Sequence, residues 1–207
     1  MIFYTYRDGL YANLTNRCPT ACMFCIKSRW DWNYRGQDLL LREEPGIAEI
    51  LDELEKRLAH EPSELVFCGY GEPTERLDAV LAVAERARRL HPKLSLRMNT
   101  VGLGSMIHGR DIVGDLRGAL DAVSVSLNTA DPDQWRRLLR PQPRFSERGF
   151  EAVCAFIAAC SAAGLRTTAT ALERNDIDLA AVAALAARLG ANFRRRPLLE
   201  NEEPAAS

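Results

Sequence analysis

The sequence lacks the features that mark membrane, secreted or nucleic-acid-binding proteins. Its 207 residues contain no run of about 18 apolar residues, which excludes a conventional membrane-spanning helix. Because 27 Lys and Arg balance 28 Asp and Glu to a net charge of -1, nucleic acid is not indicated as a partner. The N-terminal segment MIFYTYRDGLYANLTN has no apolar signal core. These absences predict a cytoplasmic protein that has no membrane partner.

Histidine is scarce, and the cysteines are unevenly placed. Cys18, Cys22 and Cys25 lie within eight residues, and no second cysteine pair or Cys-His pair follows at zinc spacing. Thiolates favour zinc or iron-sulfur clusters, and both usually take four protein ligands. A cubane held by these three cysteines alone would leave one iron without a protein ligand and open to another one. A zinc-binding interaction module that recruits a distant histidine is the alternative.

The rest of the chain alternates between strand and helix patterns. The segments IFYTY, Asp8-Gly9 and LYANLT predict a short N-terminal hairpin. Further apolar segments predict strands at about 10–15, 64–69, 93–99, 121–127, 165–171 and 192–197. Since parallel sheets arise from such alternation and a closed eight-unit barrel takes about 250 residues, we expect an α/β fold that forms a partial (β/α)6 TIM-like barrel.

Several local features accompany this fold. We expect one domain at 1–200 and a C-terminal tail at 201–207. Thr74 is the predicted cap of the helix that begins near Leu77. Residues 102–109 are expected to form a Gly-rich loop with a solvated His108, and Cys68 is expected to be a small strand residue. Aromatic residues after the cysteines are interpreted as packing residues; they are Trp30, Trp32 and Tyr34.

The predicted strands alternate in polarity where a sheet covered on both faces should be uniformly apolar. Val123-Ser124-Val125-Ser126-Leu127-Asn128 shows this pattern clearly. Because unpaired polar groups are costly to bury, the barrel interior should be wet or should hold a polar ligand. Edge strands facing solvent are the alternative. On the last strand, alternation turns either Arg195 alone or Arg194 and Arg196 inward, where an acidic substrate could be met.

Four segments together resemble one enzyme superfamily. The spacing CxxxCxxC, with Phe24 before the last cysteine, is similar to the signature of the radical S-adenosylmethionine (SAM) enzymes. Gly69-Tyr70-Gly71-Glu72-Pro73 resembles the Gly-Gly-Glu-Pro motif of that superfamily, with a tyrosine between the glycines. The segments at 98–102 and 124–128 resemble its third and fourth strand motifs. FCGYGEPTERLD, SVSLNTADPDQW and LLRP further resemble the small radical SAM proteins encoded beside TatD-type nucleases.

The resemblance implies the cofactors and the reaction. It implies a 4Fe-4S cluster on the catalytic cysteines Cys18, Cys22 and Cys25, with SAM on the open iron. Reductive cleavage of SAM would give a 5'-deoxyadenosyl radical that abstracts hydrogen from an unidentified substrate with polar groups. The implied cofactor-binding residues are Phe24, Gly69, Tyr70, Gly71, Glu72, Asn99, Ser124, Ser126 and Asn128.

The resemblance also implies partners and leaves other reactions open. We expect a flavodoxin- or ferredoxin-like electron donor and a link to a TatD-type nuclease. A glycyl-radical-enzyme activating enzyme and a 7-carboxy-7-deazaguanine synthase-like enzyme are the alternative enzymes, since both are also small.

Overall fold

A computed structural model of the chain describes residues 1–197, apart from the side chains of Ser28 and Arg29. The predicted boundary between a domain at 1–200 and a tail at 201–207 lies outside the described residues. Within them, the helices are too short or too polar to cross a membrane.

One mostly parallel sheet organises the molecule. The strands are β1 (Phe3–Tyr6), β2 (Gly9–Ala12), β3 (Asn33–Tyr34), β4 (Gln37–Asp38), β5 (Glu64–Phe67), β6 (Ser95–Thr100), β7 (Ala122–Ser126), β8 (Arg166–Leu172) and β9 (Asn192–Arg196). The main sheet has the order β1-β2-β5-β6-β7-β8-β9, with β1 antiparallel to β2 and every other neighbouring pair parallel. This confirms the N-terminal hairpin and the six parallel strands. Since β1 and β9 are the sheet edges, the barrel is open.

Helices separate the parallel strands and cover one face of the sheet. They are α1 (Ile26–Arg29), α2 (Ile47–Leu58), α3 (Leu77–Leu90), α4 (Gly104–His108), α5 (Val113–Ala119), α6 (Pro132–Leu139), α7 (Pro143–Ser146), α8 (Gly149–Ala162) and α9 (Leu179–Arg188). The apolar stripe of α2 is buried at Ile50, Leu54 and Leu58, as its helical spacing predicts. The chain leaves α9 through Gly190, whose φ of 74° suits glycine.

Three local predictions are wrong. Thr74 does not cap α3, because a 3-10 helix at Pro73–Arg76 comes first and the side chain of Glu72 caps it. Residues 102–109 are not a solvated loop, since they contain α4 and His108 donates a hydrogen bond of 2.7 Å to the carbonyl of Thr74. The strand predicted at 10–15 ends at Ala12, where the chain leaves the sheet.

The two faces of the sheet differ in chemistry. Leu96 and Met98 of β6 and Val123 and Val125 of β7 pack into the main core together with apolar residues of the helices. The alternate residues of these strands point to the opposite face, which we call the lumen face. This face carries Asn99, Ser124 and other polar side chains, as the alternating strand sequences predict.

Candidate cluster and cofactor site

The three clustered cysteines lie in the segment between β2 and α1. Thr20 stands between two of them, with its hydroxyl 3.4 Å from the sulfur of Cys18 and 3.4 Å from the sulfur of Cys22. Burial raises the pKa of Cys18, and it raises the pKa of Cys22 to about 12. Thiolates at these positions therefore need compensating positive charge, which bound iron would supply.

The cysteine thiols can be compared with what a zinc site and an iron-sulfur cluster each require. Among the residues that the structure describes, no three His, Cys, Asp or Glu side chains are arranged around a single metal ion. A tetrahedral zinc site needs four ligands around one ion. In an iron-sulfur cubane each cysteine binds a different iron, so the thiols need not converge on one point. Three thiols can therefore serve three of the four irons of a cubane, whereas a tetrahedral zinc site would need a fourth protein ligand.

The segment 138–142, which ends α6 and follows it, holds the cysteine loop in place. The amides of Ala21 and Met23 donate to the carbonyls of Arg140 and Leu138 at 3.1 and 3.0 Å. In return Gln142 donates twice, through its amide to the carbonyl of Pro19 at 2.9 Å and through Nε2 to the carbonyl of Cys18 at 3.1 Å. These bonds fix the main chain of the loop and leave the thiols free to bind a ligand.

A second loop, at residues 68–72 after β5, runs beside the chain that enters the cysteine loop. The amide of Cys68 donates to the carbonyl of Ala12 at 3.0 Å, and the amide of Glu72 donates to the carbonyl of Arg17 at 2.8 Å. Arg17 precedes the first cluster cysteine. The two predicted motifs are therefore in direct main-chain contact at the carboxyl end of the parallel strands.

Glycine is required at two positions in the second loop. A Cβ at Gly69 would lie 2.1 Å from Oδ1 of Asn13, and a Cβ at Gly71 would lie 2.1 Å from the carbonyl oxygen of Thr15. Real side chains essentially never approach that closely, so only glycine permits this contact between the loops. The sequence-based reason for these glycines, a close approach to the methionine part of SAM, stays a prediction.

The Glu72 carboxylate is buried and accepts four hydrogen bonds. Oε1 accepts from the amide of Thr74 at 3.2 Å and from the hydroxyls of Thr74 and Thr100 at 2.8 and 2.7 Å, while Oε2 accepts from the amide of Val101 at 2.7 Å. Burial raises the pKa of Glu72, and these hydrogen bonds oppose that shift. The carboxylate therefore joins the end of β5 to the end of β6. Its predicted contact with the ammonium of SAM stays a prediction.

The remaining predicted cofactor residues lie on or near the lumen face. Asn99 and Ser124 are register partners on β6 and β7, and Asn99 accepts a hydrogen bond of 2.6 Å from Arg97. Asn128 is fully buried in a left-handed conformation, and its Nδ2 donates to the carbonyl of Ser126 at 3.2 Å. Burial raises the pKa of the Cys68 thiol, which follows β5.

The aromatic residues around the cysteine loop pack against one another. The hydroxyl of Tyr70 donates to the carbonyl of Asn33 at 2.8 Å, and its ring meets Trp32 edge to face at 5.8 Å. Phe24 is half-buried against the main core. These contacts confirm the packing interpretation of Trp32 and leave the roles of Phe24 and Tyr70 at SAM as predictions.

Reasoning from the sequence missed three residues that hold the site together. Asn13 is fully buried, donates to the carbonyl of Leu39 at 2.7 Å and accepts from the amide of Tyr70 at 3.2 Å. Thr20 and Gln142 are the other two. The partners of Asn13 and Gln142 are main-chain groups distant in the chain, and those of Thr20 are sulfurs two residues away on either side. Strand and helix periodicity carries no signal for either kind of contact.

Comparison with known proteins identifies the class of protein. The family model described as the Radical SAM superfamily matches residues 12–186, so the chain belongs to that superfamily. Its members are enzymes that use a 4Fe-4S cluster and SAM, the cofactors predicted from the sequence. The structure of SuiB from Streptococcus suis bound to the precursor peptide SuiA aligns with a TM-score of 0.70 at 15% identity, covering 96% of this chain and 41% of that one.

Two curated relatives are more similar in sequence. A GTP 3',8-cyclase of Streptomyces coelicolor is 33% identical over 132 residues, which are 63% of this chain and 36% of the relative. A probable RNA methyltransferase of Methylibium petroleiphilum is 32% identical over 149 residues, which are 68% of this chain and 37% of the relative. The chain thus spans little more than a third of the length of these relatives.

Proposed function

We propose that the chain reductively cleaves SAM and uses the resulting 5'-deoxyadenosyl radical to abstract hydrogen from a polar substrate. The observation that carries the proposal is the main-chain contact between the cysteine loop and the Gly69–Glu72 loop at the carboxyl end of the sheet. In open sheets of this kind, ligands bind outside the carboxyl ends of the strands. The two motifs therefore meet where a cofactor and substrate would bind.

The residues have distinct roles in this proposal. Cys18, Cys22 and Cys25 would hold the cluster, which supplies the electron that divides SAM into methionine and the radical. Asn99, Ser124, Ser126 and Asn128 would orient the nucleoside from the lumen face, and Phe24 would pack near its adenine. The 69–72 loop would contact the methionine part of SAM. The radical takes one hydrogen atom from the substrate and leaves as 5'-deoxyadenosine.

Three finer statements belong to the same proposal. The one electron consumed in each cleavage would come from a flavodoxin- or ferredoxin-like donor. We place the chain in the TatD-associated subgroup, with a link to a TatD-type nuclease, on the resemblance of FCGYGEPTERLD, SVSLNTADPDQW and LLRP. We place it in the cytoplasm because all six cysteines are free thiols.

The substrate cannot be transferred from the relatives. Their names and titles include a GTP cyclase, a probable RNA methyltransferase and an enzyme bound to a precursor peptide, which share no single substrate class.

Anaerobic turnover tests the proposal. The reconstituted chain, given dithionite and SAM, should release 5'-deoxyadenosine and methionine in equal amounts, as measured by chromatography. Cys22→Ala should release neither product, while Cys154→Ala, a matched change on α8 away from the loop, should retain the parent rate. Equal product from the parent and from Cys22→Ala would contradict the proposal.

A further inference from the structure

Two arginines that point to the lumen face differ in their partners. Arg97 on β6 forms a two-point ion pair with Glu64, through Nε at 3.1 Å and Nη2 at 2.7 Å. Its Nη1 donates to Asn99 at 2.6 Å. The charge of Arg97 is therefore balanced within the protein.

The charge of Arg196 on β9 has no comparable balance. Its Nη2 crosses β8 and donates to Oγ of Ser126 at 3.5 Å and to Oδ1 of Asn128 at 3.3 Å, which are both neutral groups. Its Nε is buried and has no hydrogen-bond partner. None of the ion pairs formed within the described part of the chain includes this residue.

Burying a guanidinium that has no carboxylate partner costs free energy, and the pKa of the group shows the effect. Burial lowers the pKa of Arg196, and the nearby charge of Arg194 lowers it further, while the thiols of Cys68 and Cys22 act in the opposite direction. The hydrogen bonds to Ser126 and Asn128 locate the group, because they place the guanidinium at the carboxyl end of β7. A ligand on Arg196 would therefore lie beside Ser126 and Asn128, two of the predicted cofactor residues.

The sequence leaves open whether Arg195 alone or Arg194 and Arg196 turn inward, and the structure selects the second arrangement. Arg195 points away from the lumen, with 66% of its side chain exposed and its Nε 3.8 Å from Glu173. The adjacent arginine is therefore a natural control for Arg196. Both belong to the same strand, and only Arg196 faces the site.

We propose that Arg196 binds an anionic oxygen group of the substrate, a carboxylate or a phosphate. The guanidinium presents planar N–H donors that match such groups, and its unpartnered Nε provides a free edge for them. Identifying the ligand as the substrate rests on the proposed function. The carboxylate of SAM has the same chemistry, so the test must separate the two sources.

Calorimetric titration of inorganic phosphate into the 207-residue chain, before and after cluster reconstitution, tests this assignment. Arg196→Gln should lower phosphate affinity at least about tenfold, since a hydrogen-bonded charge is lost. Arg196→Lys, which keeps the positive charge, should retain part of the affinity. Arg195→Gln should bind phosphate as the parent does. SAM affinity of the reconstituted chain should fall much less in Arg196→Gln than phosphate affinity does, even though Ser126 and Asn128 lose the hydrogen bonds from Arg196.

The outcomes that overturn the proposal are distinct. Phosphate binding that is absent in the parent, or equal in Arg196→Gln, excludes an anion site at this residue. A large loss of SAM affinity in Arg196→Gln assigns the residue to the carboxylate of SAM instead. The unfolding temperature of Arg196→Gln should be no lower than that of the parent, because the change removes a buried charge that has no carboxylate partner. If this variant fails to fold, the same titrations on Arg196→Lys decide. A parent that binds phosphate but forms no cluster would refute the proposed function and leave the anion site standing.

Discussion

The cysteine loop and the Gly69–Glu72 loop lie side by side but are stabilised in opposite ways. In the second loop the buried carboxylate of Glu72 has four internal donors, and both glycines pack against the main chain or side chain of the 13–15 segment. In the first loop the main chain is held by the 138–142 segment, while Thr20 supplies the hydroxyl near two of the sulfurs. Folding alone satisfies the polar groups of the Gly69–Glu72 loop. The cysteine loop, in contrast, keeps its thiols available for a cluster.

The largest loss of stability should come from removing the buried carboxylate of the Gly69–Glu72 loop. Glu72→Ala leaves the buried donors of Thr74, Thr100 and Val101 without an acceptor, so we expect the free energy of unfolding to fall by about 3 to 5 kcal/mol. Urea unfolding measures this change. Glu72→Gln, which keeps one acceptor oxygen, should lose about 1 to 3 kcal/mol and provides the value if the alanine variant does not fold.

A matched control uses an exposed glutamate. Glu85→Ala removes a helical surface pair with Arg89, and the Glu85 side chain is 75% exposed. We expect a change of less than about 0.5 kcal/mol. Equal losses for Glu72→Ala and Glu85→Ala would show that the second loop does not depend on its buried carboxylate.

A smaller effect should come from separating the two loops. Gly71→Ala places a methyl group against the carbonyl oxygens of Thr15 and Arg17, which belong to the main chain and cannot rotate away. We expect a loss of about 1 to 3 kcal/mol in the free energy of unfolding, together with weaker SAM binding after reconstitution.

The control for Gly71→Ala should change the free energy of unfolding in the opposite direction. A Cβ at Gly114 in α5 meets nothing within 4 Å. Gly114→Ala should therefore stabilise the chain by about 0.5 to 1 kcal/mol, because alanine favours the helix. Thermal unfolding of both variants shows whether contact between the loops, rather than the loss of a glycine as such, sets the cost.

The smallest change in stability should come from the cysteine loop. Thr20→Val removes the hydroxyl beside Cys18 and Cys22, and we expect a loss of at most about 1 kcal/mol. Its effect on the cluster should be clearer: fewer hydrogen bonds to the sulfurs should make the reduction potential more negative, as a potentiometric titration would measure. Thr5→Val, on an exposed position of β1, should leave the potential unchanged.

The sequence is informative where a residue acts through a repeating pattern. Alternation in Val123-Ser124-Val125-Ser126 correctly predicts which side chains of β7 join the core, and the spacing of Ile50, Leu54 and Leu58 correctly predicts the buried face of α2. These features depend on neighbours within one strand or helix.

Contacts between distant segments were not predictable in this way. Glu72 is 28 residues from Thr100, and Gln142 is 124 residues from Cys18. No periodicity links these positions, because the fold alone brings the strand ends together. The same limit explains the wrong cap at Thr74: the 3-10 helix before α3 depends on Glu72, which tertiary contacts hold in place.

Metal and sulfide analysis tests the central claim most directly. After anaerobic reconstitution, the parent and Cys160→Ala, whose change lies on α8, should each hold about four irons and four sulfides per chain. Cys22→Ala should lose the cluster. A colourless parent that binds one zinc and no sulfide would contradict the account.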